Sequence, residues 1–211
     1  MLTLYYSPRS CARASHIALE QSGAVYRAER IDFKREQQRS AEYLRLNPKG
    51  RVPALATPRG VITETPAILF FVAQSFPQSR LAPLGDPFDL ARVQAFNSYL
   101  CATVHVAFAH RGRAYRWADE PEAHEAMKRK VPANVRDCFE LIEREMLEGP
   151  WVLGERYSIS DIYLFTLSQW LDDVGIDATS FPKVAQHRAQ MLEDPRVQKV
   201  IAVETAAAAS S

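Results

Sequence analysis

The sequence has few cysteines, few glycines, almost no net charge and no long hydrophobic run. Its 211 residues include 3 cysteines and 8 glycines, and 26 basic residues nearly balance 25 acidic ones. Three scattered cysteines do not suggest a disulfide framework and favour a reducing compartment. A net charge of +1 gives no argument for nucleic acid or a membrane surface as partner.

No apolar run is long enough to span a bilayer, and the first residues lack the basic and apolar regions of a signal peptide. Hydrophobic residues make up 47% of the chain and charged residues 24%, as in an ordinary soluble globular protein. A chain of this length can bury a substantial core in one large or two small domains. We therefore expect a cytoplasmic globular protein.

The first twenty residues change from a strand pattern to a helix pattern at Cys11. Residues 2–6 are rich in β-formers, Pro8 breaks the strand, and a helical stripe that includes Ile17 follows. The first turn of a helix has unpaired N–H groups and a positive dipole end, and both favour a thiolate over a thiol. Ser10 can donate a hydrogen bond to an anion there. The alternative is a half-buried structural cysteine.

The pattern of alternating strands and helices continues to about residue 73. We expect a strand at 25–32, a polar loop at 34–40, a helix at 41–46, strands at 52–56 and 61–63, and a helix at 65–73. Thr65 is the expected capping residue of the last helix, with Pro66 at its first position. The predicted order is βαβ followed by ββα, an α/β arrangement.

Beyond a linker the chain is predicted to be entirely helical. We expect an N-terminal domain at 1–77, a linker at 78–87, a helical domain at 88–205 and a tail at 206–211. Pro132 should kink a helix or mark a boundary inside it. Ser158 and Asp161 fit a capping box before an apolar helix at the centre of the second domain, which gives both a structural role.

Five stretches then identify a family. They are LYYSPRSCA at 4–12, NPKGRVPAL at 47–55, ETPAI at 64–68, the region of His105, and YSISDIYLFTLSQW at 157–170. In their order and spacing the chain resembles the cytosolic glutathione S-transferases, most of all the bacterial beta class. The resemblance implies a thioredoxin-like N-terminal domain, an all-α C-terminal domain and a homodimer.

The resemblance also implies a glutathione site. Its residues would be Cys11, Arg35, Val52, Pro53, Glu64, Thr65 and His105. The Val52–Pro53 bond is a candidate cis peptide, and in the family the Val52 main chain pairs with the cysteinyl unit of glutathione; an ordinary edge-strand proline is the alternative. Glu64 can hold an ammonium and the helix start at Thr65 a carboxylate, which are the two groups of the γ-glutamyl end.

Four residues are predicted to be catalytic: Cys11, Ser10, His105 and Tyr6. Several classes of the family use a tyrosine near the position of Tyr6, but with Cys11 present we expect the tyrosines to shape the site. Tyr5, His110 and Arg113 are candidates for the second-substrate pocket. The alternative for the basic run around His110 is a solvated helix end.

The expected activity is conjugation of glutathione to small electrophiles, thiol–disulfide exchange through Cys11, or both. Position 14 is alanine, so no second cysteine follows at C-x-x-C spacing and glutathione itself must resolve a mixed disulfide. Glutathione is then a substrate, and we expect no metal. The alternative is a non-catalytic binding or assembly module, since fold does not fix function. Retention of Cys11, Pro53, Glu64 and Thr65 favours the enzyme.

Overall fold

The computed structural model describes residues 1–209; residues 210 and 211, the end of the predicted tail, lie outside the described residues. The strands are β1 (Leu2–Tyr6), β2 (Tyr26–Arg30), β3 (Ala54–Thr57) and β4 (Gly60–Thr63). The α-helices are α1 (Ala12–Ser22), α2 (Ala41–Leu46), α3 (Thr65–Ser75), α4 (Pro87–Tyr99), α5 (His105–Arg113), α6 (Pro121–Leu141), α7 (Ile159–Ser168), α8 (Pro182–Glu193) and α9 (Pro195–Ala209). The stretches Leu100–Val104 and Ile142–Met146 are π-helical.

The four strands form one mixed sheet in the order β2-β1-β3-β4. β1 runs parallel to β2 and antiparallel to β3, and β3 and β4 form an antiparallel hairpin. Leu4 in β1 lies opposite Ala28 and Leu55 and is fully buried, as the alternation of this strand requires. The predicted βαβ-ββα order is confirmed.

Three strands differ in extent from their predicted ranges, the last only in that it begins at Gly60, one residue before its predicted start. The second was expected at 25–32 and occupies Tyr26–Arg30. The third was expected from residue 52 and begins at Ala54, because Pro53 has no N–H to donate to a sheet ladder. The predicted loop at 34–40 contains one short 3₁₀ turn, Gln37–Arg39.

The chain divides into two compact units. The first comprises Met1–Leu90 together with the residues from Gln190 onward, so α9 belongs with the sheet and packs on α1. Its core includes Ile17, Leu55, Ile68 and Leu69, all fully buried. The division into 1–77, 78–87, 88–205 and 206–211 stays a prediction. The two compact units differ from that division in the place of α9, and this helix continues to Ala209 where a tail was expected.

The second unit, Ala91–Ala189, is helical and is centred on α7. All ten residues of this helix are buried, as expected for a helix at the centre of the unit. The predicted capping box is also confirmed. The side chain of Ser158 accepts a hydrogen bond from the backbone of Asp161, and the side chain of Asp161 accepts one from the backbone of Ser158. Pro132 lies inside α6, which continues to Leu141, so it marks no boundary. In the described part of the chain, no helix combines the length and apolar character needed to cross a membrane.

Candidate active site

Cys11 lies at the N-cap of α1, between the end of β1 and the first helical turn. Its side chain is half-buried, and its thiol donates a hydrogen bond to the carbonyl oxygen of Val52 at 3.6 Å. The sequence correctly predicted the strand-to-helix setting. The thiol and the main chain of Val52 come together although 41 residues separate them.

The sequence suggested that the backbone N–H groups in the first turn of α1 are unpaired, but several of them donate hydrogen bonds. The backbone N–H of Ala12 donates to Ser10 Oγ at 3.2 Å, that of Arg13 to the Ser10 carbonyl at 3.1 Å, and that of Ala14 to the Cys11 carbonyl at 3.2 Å. A ligand or thiolate at this point therefore depends on the helix dipole more than on spare N–H groups.

Ser10 is also engaged within its own loop. Its hydroxyl donates to the carbonyl of Ser7 at 2.6 Å while it accepts from Ala12. A role for Ser10 as a donor to an anion, which stays a prediction, requires the hydroxyl to turn away from Ser7.

A buried carboxylate that the sequence did not single out holds the loop before Cys11. Glu204 in α9 is 1% exposed, and its Oε2 accepts hydrogen bonds from the backbone N–H of Arg9 at 3.0 Å and from the Arg13 guanidinium at 2.7 and 2.9 Å. Arg9 has φ +59°, a left-handed conformation that few side-chain-bearing residues adopt. The sequence pattern near Glu204 does not indicate this contact, because its partners lie at the other end of the chain.

The charge of Glu204 is stabilised where it lies. Burial alone would raise the pKa of this carboxyl group, but His16, Arg13 and the Arg9 amide together lower it below its ordinary value. Two nearby buried atoms, Glu204 Oε1 and His16 Nδ1, lie 3.8 Å apart without a hydrogen-bond partner.

Tyr5 and Tyr6 point to opposite faces of the sheet. Tyr6 is 3% exposed, and its ring lies 5.0 Å from that of His16 in α1. Burial, with the charge of Glu204, raises the pKa of Tyr6, so its hydroxyl stays protonated at neutral pH. The ring of Tyr5 meets that of Tyr43 edge-on at 5.9 Å. Tyr6, predicted to be catalytic, is thus buried against His16 of α1, and its catalytic role stays a prediction.

The Val52–Pro53 peptide bond is cis, as the sequence predicted. Two side chains anchor the turn before it. The hydroxyl of Tyr43 and the amide of Asn47 both donate to the carbonyl of Arg51 at 2.7 Å. Asn47 is 1% exposed. The main chain of Val52 is therefore held in place beside Cys11.

Glu64 and Thr65 lie at the start of α3, where the hairpin leaves the sheet. Glu64 is the N-cap and Thr65 the first helical residue, so the capping residue lies one position earlier than predicted. Glu64 has φ +75° and its side chain makes no capping bond; its Oε1 instead lies 2.7 Å from Nζ of Lys49. Lys49 was not singled out from the sequence.

Arg35, predicted to bind glutathione, lies in the exposed loop before the 3₁₀ turn. Its side chain is 86% exposed and its Nε lies 3.9 Å from Asp32 Oδ2. The structure therefore does not hold Arg35 against the other predicted residues in this unit, and its role stays a prediction.

The remaining predicted residues belong to the second unit. His105 is the first residue of α5, directly after the π-helical stretch, and its ring lies 5.1 Å from that of Trp170. His110 stacks on Trp117 with ring centroids 4.2 Å apart. Arg113 is the last residue of α5. Their assignment to the thiol site and the second-substrate pocket stays a prediction.

The structural role predicted for Asp161 extends beyond the cap. Its Oδ2 accepts from the backbone N–H of Ser158 at 2.7 Å, and its Oδ1 accepts from Val152 N at 2.7 Å and lies 3.2 Å from Nε2 of His187. This carboxylate joins the start of α7 to two other segments of the unit. Among residues 1–209, no group of three or more His, Cys, Asp or Glu side chains could hold a metal ion.

Two family models match the chain. Residues 1–74 match the model described as glutathione S-transferase, N-terminal domain, and residues 97–195 match the model described as glutathione S-transferase, C-terminal domain. A curated relative, the glutathione S-transferase GstA of Escherichia coli O157:H7, is 30% identical over 206 residues, which cover 96% of this chain and 98% of the relative.

Solved structures agree with these matches. A glutathione transferase homologue from Sulfitobacter with bound glutathione is 40% identical, with a TM-score of 0.92, and the match covers 95% of this chain and 96% of that one. The bacterial beta-class glutathione S-transferase of Sphingomonas chungbukensis is 30% identical, with a TM-score of 0.83 and coverage of 96% and 98%.

Proposed function

The chain belongs to the glutathione S-transferase family, and we propose that it joins the sulfur of glutathione to small electrophiles. The observation that carries this proposal is the match of both family domains, combined with a thiol, a fixed main-chain segment and a helix start in the first unit. Relatives of this chain are named glutathione S-transferases, and one similar structure holds glutathione. The reading as a non-catalytic module is set aside.

In the proposed binding mode the cysteinyl and γ-glutamyl units of glutathione meet different segments of the chain. The cysteinyl unit pairs with the main chain of Val52, and the γ-glutamyl ammonium binds Glu64. The γ-glutamyl carboxylate binds at Thr65 and the N-terminus of α3, where backbone N–H groups and the dipole favour an anion. Because the thiol of Cys11 contacts the Val52 carbonyl, this mode brings the sulfur of glutathione near Cys11.

Conjugation requires little of the protein beyond binding and charge stabilisation. Glutathione releases its thiol proton to water, its sulfur forms a bond to the electrophilic carbon, and the leaving group departs with the bonding electron pair. The positive end of α1 and the fixed loop around Cys11 favour the thiolate form.

We further propose that Cys11 takes part in thiol–disulfide exchange. The Cys11 thiolate attacks the glutathione sulfur of a disulfide between glutathione and another small thiol, a disulfide between Cys11 and glutathione forms, and the other thiolate leaves. A second glutathione then attacks the mixed disulfide, releases oxidised glutathione and restores the Cys11 thiolate. The resolving thiol comes from glutathione because residue 14 is alanine.

We also propose that the protein acts as a homodimer in the cytoplasm. The dimer is supported by the family and by Phe88, which is 74% exposed at the start of α4. The location is supported by the odd, scattered set of cysteines and by a reaction that uses reduced glutathione.

The function is tested by measuring glutathione affinity by calorimetry and turnover with 1-chloro-2,4-dinitrobenzene. We expect wild-type protein to bind and conjugate, and Glu64→Ala to bind roughly two- to fivefold more weakly, since a half-exposed ionic contact is lost. Alanine keeps the Cβ, so the backbone demand at φ +75° is unchanged and the melting temperature should hardly move.

The matched control is Glu42→Ala, which removes an exposed carboxylate from the first turn of α2. Its affinity should equal that of wild type. Absence of both binding and turnover in the wild-type protein would refute the function, whereas unaltered affinity in Glu64→Ala would refute only the assignment of Glu64.

A further inference from the structure

The ion pair between Lys49 and Glu64 stands where the proposed function places the γ-glutamyl end of glutathione. Nζ of Lys49 lies 2.7 Å from Glu64 Oε1 and donates to Thr63 Oγ1 at 2.6 Å. The side chains of Lys49 and Glu64 are 46% and 53% exposed. Both charges are therefore held in place and yet open to a ligand.

Lys49 is presented by a rigid turn. The side chain of Asn47 accepts from the backbone N–H of Lys49 at 3.2 Å and donates to Arg51 on the other side of the turn. Gly50 has φ +61°, and a Cβ at this position would meet the carbonyl oxygen of Gln38 at 3.1 Å. The position of the Lys49 backbone is thus fixed by the fold.

Glu64 is equally constrained from its own side. Its carbonyl accepts the hydrogen bond of Ile68 N at 3.0 Å, which fixes its backbone to the start of α3. Its φ of +75° with ψ of 127° is sparsely populated by residues with side chains. The carboxylate makes no capping bond with its helix and meets Lys49 instead.

We propose that Lys49 is a specificity-determining residue that binds the α-carboxylate of the γ-glutamyl group while Glu64 binds the ammonium. Resting on the proposed function, this inference adds a cation to the helix N-terminus as a partner of the ligand carboxylate. The two ligand groups sit on one carbon atom and carry opposite charges. The side chains of Lys49 and Glu64 present opposite charges at a similar separation. The ligand carboxylate can therefore bind Lys49 while the ligand ammonium binds Glu64, so that each charge has an opposite partner.

The proposal separates two ligand features that ordinary binding measurements combine. The probes are glutathione, glutaryl-cysteinyl-glycine, which lacks the ammonium, and 4-aminobutanoyl-cysteinyl-glycine, which lacks the α-carboxylate. We expect Lys49→Met to bind the first two roughly two- to fivefold more weakly than wild type does, because each has lost a half-exposed ionic contact. For the third probe the affinity should be unchanged or higher, since Glu64 no longer shares its carboxylate with Lys49.

Two further variants make the test specific. Lys49→Arg keeps the charge and should retain affinity for glutathione within roughly twofold of wild type. Arg59→Met removes the same charge from the exposed turn between β3 and β4, at the opposite end of the hairpin, and should leave all three affinities unchanged.

The proposal is overturned if Lys49→Met binds glutathione as wild type does, or if it loses the same factor for all three probes. The melting temperature of each variant, measured alongside, should match that of wild type because Lys49 is half-exposed. Failure of the wild-type protein to bind glutathione at all would instead refute the proposed function, so the two failures are distinguishable.

Discussion

The guanidinium of Arg13 donates two hydrogen bonds to one carboxylate oxygen of Glu204, at 2.7 and 2.9 Å, across 191 residues of sequence. Both side chains are buried, at 8% and 1% exposure. Since the same oxygen also holds the amide of Arg9, this pair connects α9 to the loop that carries Cys11. The last helix therefore supports the geometry of a thiol at the other end of the chain.

Removing the charge of Glu204 should destabilise the protein strongly. We expect Glu204→Gln to lower the free energy of unfolding by about 3–5 kcal/mol, because Arg13 would be left buried without its counter-charge. The measurement is urea unfolding followed by circular dichroism. The control Glu36→Gln breaks an exposed pair with Arg39 and should cost less than about 1 kcal/mol. Equal losses in the two variants would contradict this prediction.

The same carboxylate should make stability depend on pH in acid. Its folded-state pKa lies below the ordinary value of 4.5, so the unfolded chain binds the proton first as pH falls. The stabilisation by Glu204 is therefore complete above about pH 4.5 and is lost as pH falls through the folded-state pKa. Unfolding free energies measured from pH 6 to pH 3 should show the gap between wild type and Glu204→Gln narrowing with acidity. A gap that stays constant would show that Glu204 does not titrate as proposed.

Cys11 should be the most reactive cysteine. Burial raises the pKa of Cys138, so its thiolate is rare at neutral pH, whereas Cys11 is half-buried at the positive end of α1. Iodoacetamide near neutral pH should label Cys11 before Cys101 or Cys138, as followed by peptide mass spectrometry. Oxidised glutathione should add one glutathione mass to the wild-type protein.

The variant Cys11→Ala separates the two proposed activities. It should accept no glutathione mass and lose thioltransferase turnover, while conjugation continues because its nucleophile is the sulfur of glutathione. If Cys11 is labelled no faster than the other two cysteines, the exchange reaction has no support and a plain transferase remains.

Glu143 should stabilise the start of α8. Its carboxylate accepts from the backbone N–H groups of Lys183 at 2.8 Å and Val184 at 3.0 Å, which are donors that the first turn cannot satisfy internally. We expect Glu143→Ala to lower the free energy of unfolding by about 1–2 kcal/mol. Glu145→Ala is the matched control, since Glu145 is exposed and bonds its neighbour Arg144. The assignment fails if both substitutions have the same small effect in urea unfolding.

The proposed homodimer can be checked by analytical ultracentrifugation. The chain has a mass of 23.8 kDa, and at micromolar concentration we expect the sedimenting species to have twice that mass. Phe88→Ser should weaken association if this exposed ring lies in the interface, because apolar surface no longer leaves water on binding. A species of single-chain mass in the wild-type protein would rule out a stable dimer.

The sequence by itself determined the features that depend on neighbouring residues. The strand that ends before Pro8, the helix that begins after Cys11 and the capping box of Ser158 each follow from a few adjacent side chains. The cis bond before Pro53 was likewise a candidate because only X-Pro bonds reach that form at small cost. Local steric and hydrogen-bonding preferences act over a few positions, so the order of neighbouring residues is enough to predict these features.

Only the tertiary structure decided which distant groups share an environment. Glu204 is one carboxylate among many in the sequence, and nothing in its helical pattern shows that it meets Arg13. Lys49 reaches Glu64 because the turn before β3 and the residue after β4 lie at the same end of the hairpin. The alternation of β1 places the ring of Tyr6 against His16 in α1. Such contacts depend on how the elements pack, and packing depends on shape and burial that periodicity does not record.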